Sequence, residues 1–149
     1  MSDNFRLDKG GLINRNKKIS FKFNGKKYFG YEGDTLASAL IANGVHLVGR
    51  SFKYHRPRGF FGAGVDEPYA IVQMNRNNEV DPNVRATEQE LFEGLEAKSV
   101  NCWPNVDFDI GAINNFLGKF FPAGFYYKTF MWPKSFWYKV YEPFIRKAA

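Results

Sequence analysis

Asn24-Gly25 stands between two runs that alternate apolar and polar residues, Ile19-Ser20-Phe21-Lys22-Phe23 before it and Lys27-Tyr28-Phe29-Gly30-Tyr31 after it. A period of two puts every second side chain on one face of a strand. An Asn-Gly pair accepts the positive φ that a two-residue type I′ turn needs at both positions. The segment therefore predicts a β-hairpin with an apolar face that another element must cover. The cover follows at once, because residues 32–44 read as a short alanine-rich helix. Asp34 or Thr35 can cap its N-terminus through a side-chain oxygen, and Gly44 suits the left-handed position past its end. Leu36, Ala39, Leu40 and Asn43 share one face, which sets Leu36 and Leu40 on the hairpin.

Hairpin, helix and then a glycine loop is the opening order of a β-grasp domain, so the expected class is α+β. Further strands are predicted at 69–74 and 84–87, separated by a turn-rich break over 75–82. A second hairpin is predicted from Leu91-Phe92 and 95–100 around Glu93-Gly94. Three parts result: a polar, basic arm over 1–18 that settles against something else, a β-grasp domain over 19–100, and an aromatic-rich extension of short helices over 101–149. In the extension Asp107 or Asp109 can cap a helix carrying Ile110, Ile113, Phe116 and Leu117. A last helical stretch spans 135–147, and Pro122, Pro133 and Pro143 break the segment into short pieces.

At 149 residues the chain is long enough for one domain with a buried core. Cys102 is its only cysteine, which excludes an internal disulfide and a cysteine metal cage and suits a reducing compartment. No apolar run nears the ~20 residues of a membrane helix, and the first residues lack the apolar core of a signal peptide, so the expected place is the cytoplasm with no membrane partner. His46 and His55 have no cysteine beside them and read as structural, and Cys102 next to Trp103 reads as a small buried hydrophobe. Gly59-Phe60-Phe61-Gly62-Ala63-Gly64 does not spell G-x-G-x-x-G, and no nucleophile, base and orienting group assemble. The segment by itself does not read as a catalyst.

Two surfaces invite partners. Arg50, Lys53, Tyr54, His55, Arg56 and Arg58 interleave cations with rings in a long connection. Such a loop can meet nucleic acid, a cofactor phosphate or an acidic protein surface, and it matches no base-reading module. The net charge of +6 fits an acidic partner as well as it fits a solvated basic surface. The extension is crowded with rings, among them Phe125, Tyr126, Tyr127, Phe130, Trp132, Phe136 and Trp137. Left in water they would exceed the apolar patch a monomer exposes, so they either fold back over the domain's own sheet or pack on another domain or subunit.

Phe61-Gly62-Ala63-Gly64-Val65-Asp66-Glu67-Pro68-Tyr69 resembles, in glycine pattern and register, the loop that wraps a [2Fe–2S] cluster in plant-type ferredoxins. That loop reads C-x4-C-x2-C with a fourth cysteine further on. Here the corresponding positions are Phe61, Asp66, Tyr69 and Thr87, and none is a cysteine. Longer blocks carry a closer likeness. Residues 33–40 with Gly44-Val45, then 48–59, the run 121–133 and the ending 141–149 are similar to the alpha subunits of heterotetrameric sarcosine oxidase.

This resemblance implies a ferredoxin-like N-terminal module that has lost its cluster, where relatives such as opine oxidase and hydrogen cyanide synthase subunits keep the cysteines. It implies FAD, FMN, NAD and tetrahydrofolate for the whole complex, and none of them bound by this segment. Its implied partners are the rest of the alpha subunit and the other subunits, and the chain is expected to be a fragment, or a truncated or split gene product. The rival reading is a stand-alone basic β-grasp module that binds nucleic acid.

Overall fold

The computed structural model describes residues 5–76, 79–120 and 133–148. The hairpin forms where the alternation placed it. β1 (Asn14–Phe23) and β2 (Lys26–Glu32) pair antiparallel, with Phe23 opposite Lys26. Asn24 and Gly25 take φ of 51° and 77°, both positive, as a type I′ turn demands. β1 starts earlier than the alternation suggested. Residues 14–18 lack an apolar face because they pair at the exposed end of the hairpin, where Asn14 and Lys17 both bond the Glu32 carboxylate.

α1 (Leu36–Ala42) lies on this hairpin with Leu36, Ala39 and Leu40 fully buried. Thr35 is its cap, in a reciprocal arrangement with Ser38: each side-chain oxygen accepts from the other residue's backbone N–H. Asp34 is thereby free for another task. Its buried carboxylate accepts two hydrogen bonds from Arg6, at 3.0 and 2.8 Å, one from the Tyr31 N–H and one from the Ser38 hydroxyl. The N-terminal arm thus folds back on its own domain through Arg6, whose guanidinium also lies 5.1 Å from the Tyr31 ring centre.

β3 (Gly49–Arg50) and β4 (Pro57–Arg58) form a small ribbon that closes the basic loop. β5 (Ile71–Arg76), β6 (Glu79–Arg85) and β7 (Glu96–Ser99) complete a five-stranded sheet in the order β2-β1-β7-β5-β6. β7 runs parallel to β1 and antiparallel to β5, which is the mixed α+β arrangement of a β-grasp.

Two expectations are corrected. The second hairpin around Glu93-Gly94 does not form, because β7 finds its partners in β1 and β5 while Gly94 turns at φ 78° and donates to Ser20 O. The break over 75–82 is also shorter than predicted, since strand pairing resumes at Glu79. β6 is an edge strand, so Pro82 removes no needed donor there. A bulge with Asn83 at φ 59° absorbs the extra residue between the Val72–Val84 and Met74–Asp81 pairs.

The core lies between sheet and helix. Phe21, Leu36, Leu40, Val48, Val72, Met74 and Leu95 are its largest fully buried apolar members, each contributing about 1.5–3 kcal/mol over exposure. Beyond the sheet, Asp109 caps a 3-10 turn (Ile110–Ala112) that runs into α2 (Ile113–Phe116) and a second such turn (Leu117–Phe120). The last described segment is helical throughout: a 3-10 turn (Lys134–Phe136), a π-helical turn (Trp137–Tyr141) and α3 (Glu142–Ala148). Pro143 follows the join of the π-helical turn and α3. No helix among the described residues is long and apolar enough to cross a membrane.

Candidate functional site

The glycine loop between β4 and β5 is organised by a residue the motif reading passed over. Glu67 is completely buried. Its Oε2 accepts from the backbone N–H groups of Phe61 at 2.6 Å and Gly62 at 2.5 Å. Its Oε1 accepts from those of Tyr69 at 2.7 Å and Ala70 at 3.1 Å. Burial pushes the Glu67 carboxyl up, and the four backbone donors more than reverse this, holding it below the usual glutamate range.

Of the four vestigial positions, Phe61 and Tyr69 lend their backbone N–H groups to this lock, and none of the four side chains bonds Glu67. Phe61 and Tyr69 set their rings edge to face, with centres 5.8 Å apart, and the Arg58 guanidinium lies 4.1 Å from the Tyr69 ring centre. Asp66 faces solvent. Thr87 is buried and its hydroxyl donates to Gly64 O at 2.9 Å, tying the loop to the residues that follow β6. Thiolates hold [2Fe–2S] clusters, and here the positions carry two rings, a carboxylate and a hydroxyl, while the inward amides already serve Glu67. These residues do not fit an iron–sulfur cluster. Among the described residues no three His, Cys, Asp or Glu side chains gather as metal ligands.

The basic loop turns much of its charge inward. Arg50 donates to the carbonyls of Val106 at 2.9 Å, His55 at 2.9 Å and Asp107 at 3.4 Å, and its Nε lies 3.7 Å from the Asp109 carboxylate. His55, at φ 52°, sets its Nδ1 2.7 Å from the same carboxylate oxygen, Asp109 Oδ2. Asp109 Oδ1 accepts from the N–H groups of Trp103 at 3.0 Å and Gly111 at 3.1 Å. Burial pushes the Asp109 carboxyl up, and the backbone donors with His55 bring it below the usual aspartate range. Asp109 is thus more than the helix cap that was expected. Gly111 is required beside it, since a Cβ there would stand 2.2 Å from the His55 ring.

Lys53 and Arg56 each lie 4.8 Å from the Tyr54 ring centre, and Arg56 Nε donates to Asn115 Oδ1 at 3.1 Å. Arg56 is the member of this set most open to water. Cys102 is half-buried rather than buried, and burial and then the Asp109 charge push its thiol up. His46 is exposed, with Phe5 edge-on at 4.9 Å.

Of the aromatic docking candidates, Phe125, Tyr126, Tyr127, Phe130 and Trp132 lie outside the described residues. Phe136, Trp137, Tyr138 and Phe144 are 47%, 37%, 82% and 65% exposed, so the domain's own sheet does not cover them. Trp103, Phe108, Ile113 and Phe116 are also exposed around the Asp109 junction.

Glu67 escaped the reading of the sequence, and Asp109 was read there only as a possible helix cap. Asp109 sits in an Asp-x-Asp pair that capping explains alone. Glu67 offers only a charged residue among glycines, which a solvated loop also carries. Arg6 gave no signal, because its partner Asp34 lies far away in sequence and already had a role as a possible cap.

Residues 16–102 match the family model described as a 2Fe-2S iron-sulfur cluster binding domain. The sarcosine oxidase alpha subunit of Rhizobium meliloti is 61% identical over 145 residues, which is 97% of this chain and 15% of that subunit. The alpha subunit from a Corynebacterium species is 37% identical over 91 residues, 59% of this chain and 9% of that subunit. Among solved structures, L-proline dehydrogenase from P. horikoshii is 26% identical with a TM-score of 0.45, covering 62% of this chain and 17% of that one, too loose a likeness to argue from. The chain therefore spans about a seventh or less of the curated subunits it matches. It belongs to the 2Fe-2S iron–sulfur cluster binding domain family, and over nearly its whole length it is similar to sarcosine oxidase alpha subunits.

Proposed function

We propose that this chain is the N-terminal assembly module of a sarcosine oxidase alpha subunit, ferredoxin-shaped and without a cluster. The whole complex, a cytoplasmic heterotetramer, would oxidatively demethylate sarcosine to glycine and pass the one-carbon unit to tetrahydrofolate. Its FAD, FMN, NAD and folate sites would lie in other parts of the complex. Residues 19–100 supply a rigid platform, the arm over 1–18 is clasped to it, and residues 101–149 dock on the rest of the subunit.

The observation that carries this reading is the exposure of Tyr138 and Phe144, with Phe136 and Trp137 partly exposed beside them, on a chain whose sheet already has its own core. Exposed apolar patches of that kind mark interaction surfaces. The basic loop contributes mainly through Arg56, its cation most open to water, because Arg50 and His55 are turned toward Asp109. That inward turn also removes much of the support for a nucleic-acid module.

The test is a full alpha subunit carrying Phe136→Ser, Trp137→Ser and Tyr138→Ser together, analysed by size-exclusion chromatography with its partner subunits. The expected result is a loss of assembled complex while the β-grasp core keeps its unfolding midpoint. Assembly at the unmodified level would overturn the docking role.

A further inference from the structure

We propose that the loop over 59–70 is an anion site made of backbone amides, and that Glu67 is its built-in occupant, standing where a loop of this shape otherwise holds an anionic cluster. Concave sets of backbone N–H groups bind anions, iron–sulfur centres among them. The loop has such a set: Phe61 and Gly62 on one arm, Tyr69 and Ala70 on the other, all within 3.1 Å of one carboxylate. A carboxylate that merely shapes its own turn engages the one or two amides next to it. Glu67 instead reaches five and six residues back as well as two and three forward, and it uses both oxygens.

The charge balance points the same way. Among the described residues no ion pair forms to Glu67, although it is fully buried. An isolated buried carboxylate is costly unless its environment replaces water. Here the replacement is the amide set alone, which is an environment suited to an anion whatever its source. An iron–sulfur core held by four thiolates is also net anionic and also takes hydrogen bonds on sulfur. Carboxylate and cluster would therefore compete for the same donors, and like charge would keep them from sharing the loop. On this account the change from a metal-holding loop to a metal-free one needs two steps, removal of the thiolates and arrival of the carboxylate. The second keeps Arg58, Phe61 and Tyr69 in place on the surface.

The experiment reads the full chain directly and is independent of whether the module docks. Hydrogen exchange is followed at the amides of Phe61, Gly62, Tyr69 and Ala70 in the unmodified chain, in Glu67→Ala and in the near-isosteric Glu67→Gln. Exchange at these four is expected to quicken by roughly tenfold or more in Glu67→Ala. Added sodium formate should restore protection saturably, and sodium chloride of equal ionic strength should not. Unchanged exchange in Glu67→Ala, or faster exchange that formate does not slow, overturns the proposal. If Glu67→Ala does not fold, Glu67→Gln decides: faster exchange at these four amides supports it, and unmodified rates overturn it.

A second arm tests the shared site. Phe61→Cys, Asp66→Cys, Tyr69→Cys and Thr87→Cys are combined, with Glu67 kept or changed to Ala, and treated anaerobically with ferrous iron and sulfide. Cluster absorbance only in the chain lacking Glu67 is the expected result. Equal uptake in both, or uptake in neither, overturns the shared-site claim.

Discussion

The glycine loop over 59–70 and the junction over 101–118 are each organised by one buried carboxylate, but the two carboxylates are satisfied differently. Glu67 accepts from backbone N–H groups alone, all within six residues of itself. Asp109 accepts from two backbone groups and also draws in His55 and Arg50 from more than fifty residues away. A carboxylate held by its own loop is a local lock. A carboxylate held by distant side chains is a joint, here between the basic loop and the segment that leads to the aromatic extension. Loss of the first should open a loop, whereas loss of the second should let two segments part and leave buried charge behind.

The largest effect should follow Asp109→Ala. Removing one partner from a buried charge network costs about 3–5 kcal/mol, and the variant should lose that much stability in chemical denaturation. A loss under about 1 kcal/mol would show that the joint is not where the stability lies. Glu67→Gln comes next, at about 1.5–3 kcal/mol, because charge-assisted bonds become neutral and a donor faces donors. Its pH dependence separates it from a packing defect. The folded carboxyl lies below the usual range, so its contribution is complete above the unfolded value of about 4.3 and is lost as pH falls through the folded one. The stability gap between unmodified chain and variant should therefore narrow as pH drops below about 4. A gap that stays constant with pH would contradict the lock.

Gly111→Ala should be milder, toward the lower end of the ~1–3 kcal/mol of overpacking. Its Cβ would push the His55 ring off Asp109, which displaced His55 ring resonances by NMR would register. Tyr138→Ser should change the stability of the isolated chain by no more than about 0.5 kcal/mol, since the ring is largely exposed. It should nevertheless reduce self-association in sedimentation. A marked destabilisation would mean that the ring packs on the chain's own domain.

The same contrast explains what the sequence made legible. β1, β2 and α1 were readable because period-two alternation, Asn24-Gly25 and the Thr35 cap are local signals that the tertiary structure does not override. The strand β7 was legible as a strand but not in its partners. Its four residues choose β1 and β5 by closing the sheet over the core, which no neighbouring residue announces. The bulge at Pro82-Asn83 looked like a break because proline is tolerated only where the edge of the sheet faces water. The empty thiolate positions could be read residue by residue, whereas their replacement could not. Glu67 acts by gathering amides, and amides are the same in every sequence. Asp109 depends on His55 and Arg50 approaching from across the fold, a contact that spacing along the chain does not encode.

Iron and acid-labile sulfide analysis of the full chain, purified without oxygen from cells grown with ample iron, tests the central claim most directly. A loop whose inward amides belong to a carboxylate should yield colourless protein with neither element above background. Two irons and two sulfides per chain, with the visible absorbance of a [2Fe–2S] centre, would contradict it.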